Sequence, residues 1–359
     1  MKMNLVVRGA PQEYICKTGS WQELPDHLAK RGVENILVLH GEKSWKAAEP
    51  YFPDLSDFQV LFRHYGNHCT DTLRDQHIAV AKENQIDTVV AVGGGKISDL
   101  GKMIAHEMKI RIVILPTLAA TCAAYSSLSS VYNDNGEHSE MRIFPYSTDL
   151  VLVEPEMLLD SPEEYLIAGI GDTIAKWYES NAIISQLEEK SVAVEIAQSM
   201  AKKCRDNLLE YSSEAIKAHG EKNLTEAFKK VIETNIMLAG LVGGFGDDYG
   251  RTAGAHTIHD ALTVVPESRA VLHGNKVAYG ILVQLVIEDK WEEIKNLQPF
   301  YEELGLPLSL KDMKIPLDGL DKVVEKAASP KEFIHLLAKP VNQQVIKEAM
   351  LALEDYMTN

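Results

Sequence analysis

The sequence is poor in features that would direct it out of the cell or into a membrane. It has four cysteines and no CxxC pair, so we expect free thiols in a reducing compartment rather than disulfides. No apolar run approaches the ~20 residues that a membrane span needs. The N-terminus also lacks the apolar core and cleavage site of a secretory signal. We therefore expect a cytoplasmic protein without a membrane partner.

Basic residues are scarce as well. The 36 lysines and arginines are outnumbered by 52 aspartates and glutamates, which gives a formal net charge of -16. Nucleic-acid binding requires clustered basic side chains, and anionic membrane surfaces attract basic segments. The charge therefore argues against both partners. An anionic cofactor is still allowed, because backbone N–H groups and a few local cations can bind one.

The chain has the length and composition of a soluble protein with two domains. Its 359 residues are 45% hydrophobic and 25% charged, which is ordinary for globular proteins. The first part alternates apolar runs with helical segments, as in a parallel sheet that helices cover on both faces. The strand candidates are NILVLH, DFQVLFRHYG, DTVVAVGGGK, RIVILPT and DLVLVEPEML, with LVVRG at residues 5–9 as a further edge-strand candidate.

Local signals add turns and helix ends to this pattern. The turn NDNG predicts a hairpin, Gly32 is a candidate helix C-cap, and Thr70 or Asp71 is a candidate N-cap. From residue 161 onward helical periodicity dominates. We predict an α/β domain over residues 1–160, an all-α domain over residues 161–359, and a ligand site in the cleft between them.

Three consecutive glycines, Gly93 to Gly95, separate a predicted strand from a predicted helix. Glycines at such a junction let backbone N–H groups approach a phosphate, and the helix N-terminus favours the anion. The stretch is neither the GxGxxG fingerprint nor a P-loop. From these residues alone it could be a phosphate site or only a tight turn.

Three histidines, His256, His259 and His273, lie within one short segment. His256 and His259 are three residues apart and share a face if the segment is helical. A metal site would need a further ligand, and Asp172 in GIGDTIAKWYE is the best candidate. The alternative is an ordinary helix with structural histidines and an aspartate near a helix start.

Several motifs in order resemble the glycerol dehydrogenase branch of the iron-containing alcohol dehydrogenase family. They are VGGGKISDLGK, PTLAATCAAYSSLSSVY, GIGDTIAKWYE, AGAHTIHDAL and HGNKVAYG. The resemblance implies a Rossmann-like N-terminal domain with a parallel sheet and an all-α C-terminal domain, the architecture of glycerol dehydrogenase and dehydroquinate synthase. It places a divalent metal, zinc rather than iron, on Asp172, His256 and His273. His259 is then expected to contact the substrate or relay a proton, with a structural role as the alternative.

The resemblance also implies the residues that contact a nicotinamide cofactor. The pyrophosphate loop falls on Gly94, Gly95, Lys96, Ser98 and Asp99. The contacts on the nicotinamide side fall on Thr117, Thr121, Ser126, Leu128 and Tyr132. A homo-oligomer is expected by the same analogy.

Two positions depart from the family pattern. NAD-dependent members carry an aspartate at the end of the first cofactor strand, and here that position is Gly41. The change favours NADP(H) over NAD(H), although a one-residue shift would bring Glu42 to this place. The polyol-binding aspartate of glycerol dehydrogenases is replaced by Cys122, which disfavours glycerol and allows an anionic substrate. Arg251 and Arg269 could pair with its carboxylate, or be solvated surface side chains.

We therefore predict a metal-dependent NAD(P)(H) oxidoreductase. It would interconvert a small alcohol or 2-hydroxy acid with its carbonyl compound or 2-oxo acid. The alternatives are an NAD-dependent glycerol dehydrogenase, a lyase like dehydroquinate synthase, and a nucleotide-binding protein without activity.

Overall fold

Six parallel strands form the sheet of the first half. The computed structural model describes residues 3–358. The sheet strands are β1 (Glu13–Cys16), β2 (Asn35–His40), β3 (Gln59–His64), β4 (Thr88–Gly93), β5 (Arg111–Pro116) and β8 (Leu150–Val153). Their order is β1-β8-β5-β4-β2-β3. The inner strands are almost wholly buried, as expected for a sheet covered on both faces.

The strand order reverses between β2 and β4. From β2 the chain crosses to β3 on one side, and then returns to place β4 on the other side of β2. Ligands of open α/β sheets bind at the carboxyl ends of strands at such a switch point. Gly41 and the three glycines follow these two strands, so the fold brings them to the same crevice.

Helices follow the strands of this half, and a separate hairpin packs on one of them. The helices are α1 (Leu24–Lys30), α2 (Glu42–Ala48), α3 (Asp71–Glu83), α4 (Gly95–Met108) and α5 (Pro155–Leu159). The hairpin consists of β6 (Leu128–Tyr132) and β7 (His138–Ile143). Its turn contains Gly136 at φ +85°, as the NDNG motif predicts. Thr70 caps α3 by accepting a hydrogen bond from the Leu73 backbone N–H.

The second half is helical. Its helices are α6 (Glu163–Ile184), α7 (Val192–Gly220), α8 (Glu226–Glu233), α9 (Ala239–Gly246), α10 (Gly254–Leu262), α11 (His273–Ile287), α12 (Trp291–Leu304), α13 (Leu320–Ala327) and α14 (Gln343–Thr358). Helices α6 and α11 are buried on nearly every side, which agrees with their apolar composition. The predicted fold class, an α/β part followed by an all-α part, is confirmed. In residues 3–358 the helices are too short or too polar to cross a membrane.

The prediction of an edge strand over residues 5–9 is wrong. The backbone N–H groups of Val6 and Arg8 donate to the Asp247 carboxylate and the Gly244 carbonyl in the helical half. These N–H groups are therefore not available to a sheet, and β1 takes the edge position beside β8 instead. The apolar side chains of this segment are partly exposed.

Helices α6 and α11 approach each other so closely that a glycine is required. A Cβ atom on Gly274 would lie 1.7 Å from the backbone oxygen of Ala168. Backbone atoms cannot move aside as a flexible side chain can, so α11 would have to shift. Because His273 begins α11 and Asp172 lies on α6, this contact sets their separation.

We expect Gly274→Ala to lower the free energy of unfolding by about 1–3 kcal/mol, the usual cost of overpacking a core. The matched control is Gly220→Ala at the end of α7, where the nearest atom to the new Cβ is 4.0 Å away. Helix propensity makes this control neutral or slightly stabilising. Denaturant unfolding of both variants measures the difference, and equal stabilities would contradict the packing argument.

Candidate metal and cofactor site

The glycine loop leaves the N-terminus of α4 open. Gly94 is the N-cap of α4, and Gly95 is its first residue. A Cβ atom on Gly93 would lie 2.2 Å from Ile97 Cδ1, and one on Gly94 would lie 2.9 Å from Leu118 Cδ1. The missing side chains therefore keep a crevice between this loop and residues 116–124. An anion in the crevice could approach the free N–H groups of α4.

Some of the predicted cofactor residues line this crevice, and others lie in the segments that adjoin it. Gly94, Gly95, Ser98 and Thr121 line it directly. Lys96 is exposed, and its Nζ lies 5.8 Å from the centroid of the Tyr132 ring. The backbone N–H of Thr117 donates to the Gly93 carbonyl, which joins the two walls. Ser126 and Leu128 continue the same loop into the hairpin.

Asp99 has a different environment from the other predicted cofactor residues. It is buried, and its Oδ2 accepts a hydrogen bond from the Ser130 backbone N–H at 3.1 Å. Its Oδ1 lies 2.9 Å from the Lys102 ammonium. Burial raises the pKa of Asp99, against the opposing effect of Lys102. In this position Asp99 connects α4 to the hairpin.

Lys102 holds the loop that carries most of the predicted nicotinamide contacts. Its buried ammonium donates to the backbone carbonyls of Ala123, Ser126 and Leu128. Together with Asp99, these acceptors satisfy the charge and its donors. One cation therefore fixes residues 123–128 against α4, a role that the sequence analysis missed.

Gly41 lies at the carboxyl end of β2 and is the N-cap of α2. Its φ of -107° is open to any residue, so its lack of a side chain is not a backbone requirement. The His40 ring beside it contacts the Trp45 ring, with 5.1 Å between centroids. Glu42 is the exposed first residue of α2. A Cβ atom on Gly41 would lie 3.4 Å from Ile97 Cδ1 near the start of α4, so Gly41 lies close to the glycine loop, whereas the Glu42 side chain is exposed.

Three side chains from three helices converge on one point. Asp172 lies in the middle of α6, His256 on α10, and His273 at the start of α11. The Asp172 Oδ1 atom lies 3.2 Å from His256 Nε2 and 3.1 Å from His273 Nε2. One ligand atom from each residue lies within 4.8 Å of the other two. Two imidazoles and a carboxylate form a donor set that suits zinc or iron.

Each histidine of this cluster is oriented through its other ring nitrogen. His256 Nδ1 lies 2.6 Å from Glu179 Oε2, and the Glu179 Oε1 accepts the His256 backbone N–H. His273 Nδ1 lies 2.9 Å from His259 Nε2, and His259 Nδ1 lies 2.9 Å from Asp260 Oδ1. Such partners fix the ring orientation and tautomer of metal-binding histidines. The two Nε2 atoms are thereby directed at Asp172, so the residues fit a divalent cation.

The charges of the site follow from these contacts. Burial alone would raise the pKa of Asp172, but His273, His256 and Lys176 outweigh it and hold that pKa well below its usual range. Burial lowers the pKa of His256, whereas Glu179 raises it, with a net rise to about 9. Burial and the neighbouring His273 lower the pKa of His259 to about 3. His259 is therefore neutral, as an acceptor for His273 must be.

The structure also places the residues that the sequence associated with the substrate. Cys122 lies in the loop between the crevice and α6, and burial raises the pKa of its thiol. Arg251 is buried and paired with Asp247 Oδ1, with its Nη2 at 3.0 Å. Arg269 is exposed. Arg251 is thus engaged by Asp247, and Arg269 is accessible to solvent.

Glu179 and Asp260 were not predicted from the sequence. Glu179 follows Asp172 by seven residues, which puts the two on one helix face two turns apart. Asp260 directly follows His259 in the chain. Both residues lie in motifs that carry the predicted metal ligands. Their helical spacing from those ligands is the sequence signal that could have indicated them.

The chain is similar to known proteins in sequence and in fold. The sequence profile described as iron-containing alcohol dehydrogenase matches residues 11–155. Hydroxycarboxylate dehydrogenase A from Escherichia coli strain K12 is 34% identical, with 96% of each chain covered. Glycerol dehydrogenase from Thermotoga maritima is 33% identical, again with 96% of each chain covered. The crystal structure of a probable glycerol dehydrogenase from Sinorhizobium meliloti 1021 superposes with a TM-score of 0.89, at 30% identity and 98% coverage of both chains.

The Glu179 contact leads to a prediction about metal affinity. We expect Glu179→Gln to weaken divalent-metal binding by about 10- to 100-fold, the usual effect of removing a charged partner of a ligand histidine. The matched control is Glu293→Gln, because Glu293 accepts a hydrogen bond from the neighbouring Tyr178 on another face of α6. Chelator competition measures both affinities. Equal affinity of the Glu179 variant and wild type would contradict the orienting role.

Proposed function

Because the chain belongs to the iron-containing alcohol dehydrogenase family, in its glycerol dehydrogenase-like branch, we propose that it is a metal-dependent dehydrogenase of small 2-hydroxy acids. It would transfer a hydride between the carbinol carbon of the substrate and the nicotinamide ring of NADP(H). The observation that carries the proposal is the convergence of Asp172, His256 and His273 opposite a loop that presents a thiol, Cys122, instead of a carboxylate.

Packing between the two halves supports a position for the proposed metal site close to the proposed cofactor loop. Gly169, three residues before Asp172 on α6, lies against the loop after β5, where a Cβ atom on it would be 2.1 Å from the Ala119 oxygen. The loop is joined to the helical half where Asn235 Nδ2 donates to the Ala119 carbonyl at 3.0 Å. This arrangement supports a reaction centre between the two halves.

The residues of the cluster have separate roles in this proposal. Asp172, His256 and His273 would hold the cation, which when bound supplies Lewis acidity to the substrate oxygen. Glu179 and His259 orient the two imidazoles. His259 Nε2 already accepts from His273, so we assign His259 an orienting role in preference to direct substrate contact. We propose zinc as the metal, because zinc is usual in this branch.

The substrate class follows from the loop residue. The named relatives include a hydroxycarboxylate dehydrogenase and a glycerol dehydrogenase at nearly equal identity, so the comparisons do not choose between the two. Burial raises the pKa of the Cys122 thiol, which keeps it neutral. A neutral thiol is a weak acceptor for a polyol and does not repel a carboxylate. It therefore supports an acidic substrate.

A substrate panel tests this function. We expect reduction of 2-oxobutanoate or 2-oxoglutarate with a kcat/KM at least about tenfold above that for dihydroxyacetone, since the site lacks a polyol acceptor. Absorbance of the reduced nicotinamide measures turnover, and His256→Ala serves as the inactive control. Brisk oxidation of glycerol with NAD, together with no reduction of either oxo acid, would instead identify a glycerol dehydrogenase.

The preference for NADP(H) has its own test at Gly41. An added carboxylate would repel a 2′-phosphate and accept hydrogen bonds from ribose hydroxyls. We expect Gly41→Asp to lower the ratio of kcat/KM with NADPH to kcat/KM with NADH by about tenfold or more. A tenfold change in this ratio corresponds to ~1.4 kcal/mol.

Gly41→Asn is the matched control, because it has the same size without the charge. A Cβ atom there would lie 3.1 Å from Tyr65 Cε1, so both variants require the same small adjustment. Equal shifts in the Asn and Asp variants would show that size, and not charge, sets the cofactor preference.

A further inference from the structure

Lys176 is a buried cation that the mechanism above does not use. It lies on α6, four residues after Asp172, with a relative exposure of 7%. Its Nζ is 3.4 Å from the Arg251 carbonyl oxygen, the single hydrogen bond found for it within residues 3–358. An ammonium has three donors, and a buried charge without good partners is costly. Lys176 therefore has unused binding capacity.

The carboxylates nearest to Lys176 are committed to other groups. Asp172 Oδ1 is shared by His256 and His273. Glu179 accepts the backbone N–H groups of Ala253 and His256 with Oε1 and faces the His256 ring with Oε2. A divalent cation on the cluster would balance both carboxylates, and the charge of the Lys176 ammonium would remain in excess.

The ammonium faces the part of the site that the substrate would occupy. Lys176 is the charged group that acts most strongly on the Cys122 thiol, where it opposes the effect of burial on the thiol pKa. Gly169, seven residues earlier on the same face of α6, packs against Ala119 of the loop that carries Cys122, and a Cβ atom there would lie 2.1 Å from the Ala119 oxygen. Four residues of helix correspond to a rise of ~6 Å. In a 2-oxo or 2-hydroxy acid the carboxylate is attached to the reacting carbon. The separation between Asp172 and Lys176 therefore suits a substrate that directs its reacting oxygen toward Asp172 and its carboxylate toward Lys176.

Other cations of the region are less suitable for this role. Arg251 is engaged by Asp247, and Arg269 is exposed. Lys276 on α11 lies 3.4 Å from the Ser268 carbonyl, and the charges that act on it are Asp260 and Lys96. Lys276 therefore faces the cofactor loop, and Lys176 is the cation beside Cys122.

We propose that Lys176 binds the carboxylate of the substrate and thereby sets the substrate class as small 2-oxo and 2-hydroxy monocarboxylic acids. The inference rests on the proposed function and deepens it. A single buried ammonium matches one carboxylate. It does not provide for a second carboxylate at the far end of a substrate such as 2-oxoglutarate, so 2-oxobutanoate is the better substrate.

The test compares two substrates of nearly the same size, of which one is charged and the other neutral. 2-Oxobutanamide carries a neutral carboxamide where 2-oxobutanoate carries a carboxylate. We expect Lys176→Met to lower kcat/KM for 2-oxobutanoate by about 10- to 100-fold, the effect of losing a hydrogen bond to a charged group. The change should lie mainly in KM. Turnover of the amide should change less than about threefold.

Two controls keep the result specific. Lys276→Met removes an equal buried charge and should not change the ratio between acid and amide. Cys122→Asp keeps Lys176 but gives it a permanent partner, and should reduce turnover of the acid selectively. If Lys176→Met is poorly folded by thermal unfolding, Lys176→Gln, which removes the charge but keeps a polar side chain, is tested in its place with the same expected loss for the acid alone. Equal losses for acid and amide in the well-folded variant, or a selective loss in Lys276→Met, would overturn the proposal.

A binding measurement separates this inference from the proposed function. Calorimetry with oxamate and its neutral analogue oxamide reports carboxylate recognition without turnover. Oxamate binding that depends on Lys176, together with no oxo-acid reduction by wild type, would refute the function and support the carboxylate site. Oxo-acid reduction by wild type, with oxamate binding unchanged in Lys176→Met, would support the function and refute the site.

Discussion

The close backbone approach of α6 and α11 is the constraint on which the site depends. Gly274 lets α11 begin against the Ala168 carbonyl, and on α6 a Cβ atom at Gly171 would lie 2.7 Å from the Gly274 oxygen. Side chains on either residue would separate the helices. Because His273 precedes Gly274 and Asp172 follows Gly171, the contact brings a histidine and a carboxylate together. The geometry of the cluster is therefore determined by backbone packing before any ion binds.

The buried charges are arranged so that most of them satisfy one another. Asp99 and Lys102 form a pair whose remaining donors go to backbone carbonyls. Glu179 is neutralised through His256 and two backbone N–H groups. Lys176 and Lys276 differ, because within residues 3–358 each has a single hydrogen bond, at 3.4 Å; of the two, Lys176 is the one beside Cys122. In a low dielectric such an imbalance favours an anionic ligand, which is why the substrate, and not the protein, is the natural partner for this ammonium.

Patterns of apolar residues predicted the inner strands of the sheet correctly, but they also predicted an edge strand at residues 5–9 that does not form. The runs around β2, β4 and β5 are apolar throughout because both faces of the sheet are covered. The segment at residues 5–9 is equally apolar, but its N–H groups are taken by the helical half. Local sequence cannot distinguish a strand from an extended segment whose partners lie more than 200 residues away.

The ligand cluster could be anticipated from motifs, whereas its supporting residues depend on tertiary contacts. Asp172, His256 and His273 lie in motifs that resemble the family, and the structure brings them together. The link from His273 to His259 crosses 14 residues and a change of helix. Lysines on helices usually face solvent, so nothing in the sequence singles out Lys102 or Lys176 as buried. The boundary at residue 160, the cytoplasmic location and the homo-oligomer stay predictions.

Residues 117–128 form the element that couples the two substrates of the proposed reaction. From one side Lys102 holds the loop carbonyls, and from the other Asn235 and the bare Gly169 receive the Ala119 carbonyl. The loop is therefore hydrogen-bonded to both halves. It carries the hydroxyls expected at the nicotinamide and also Cys122 beside the metal cluster. A substitution in the loop would therefore change the distance between cofactor and substrate as well as the recognition of the substrate. Substrate specificity and hydride transfer thus both depend on the backbone of residues 117–128.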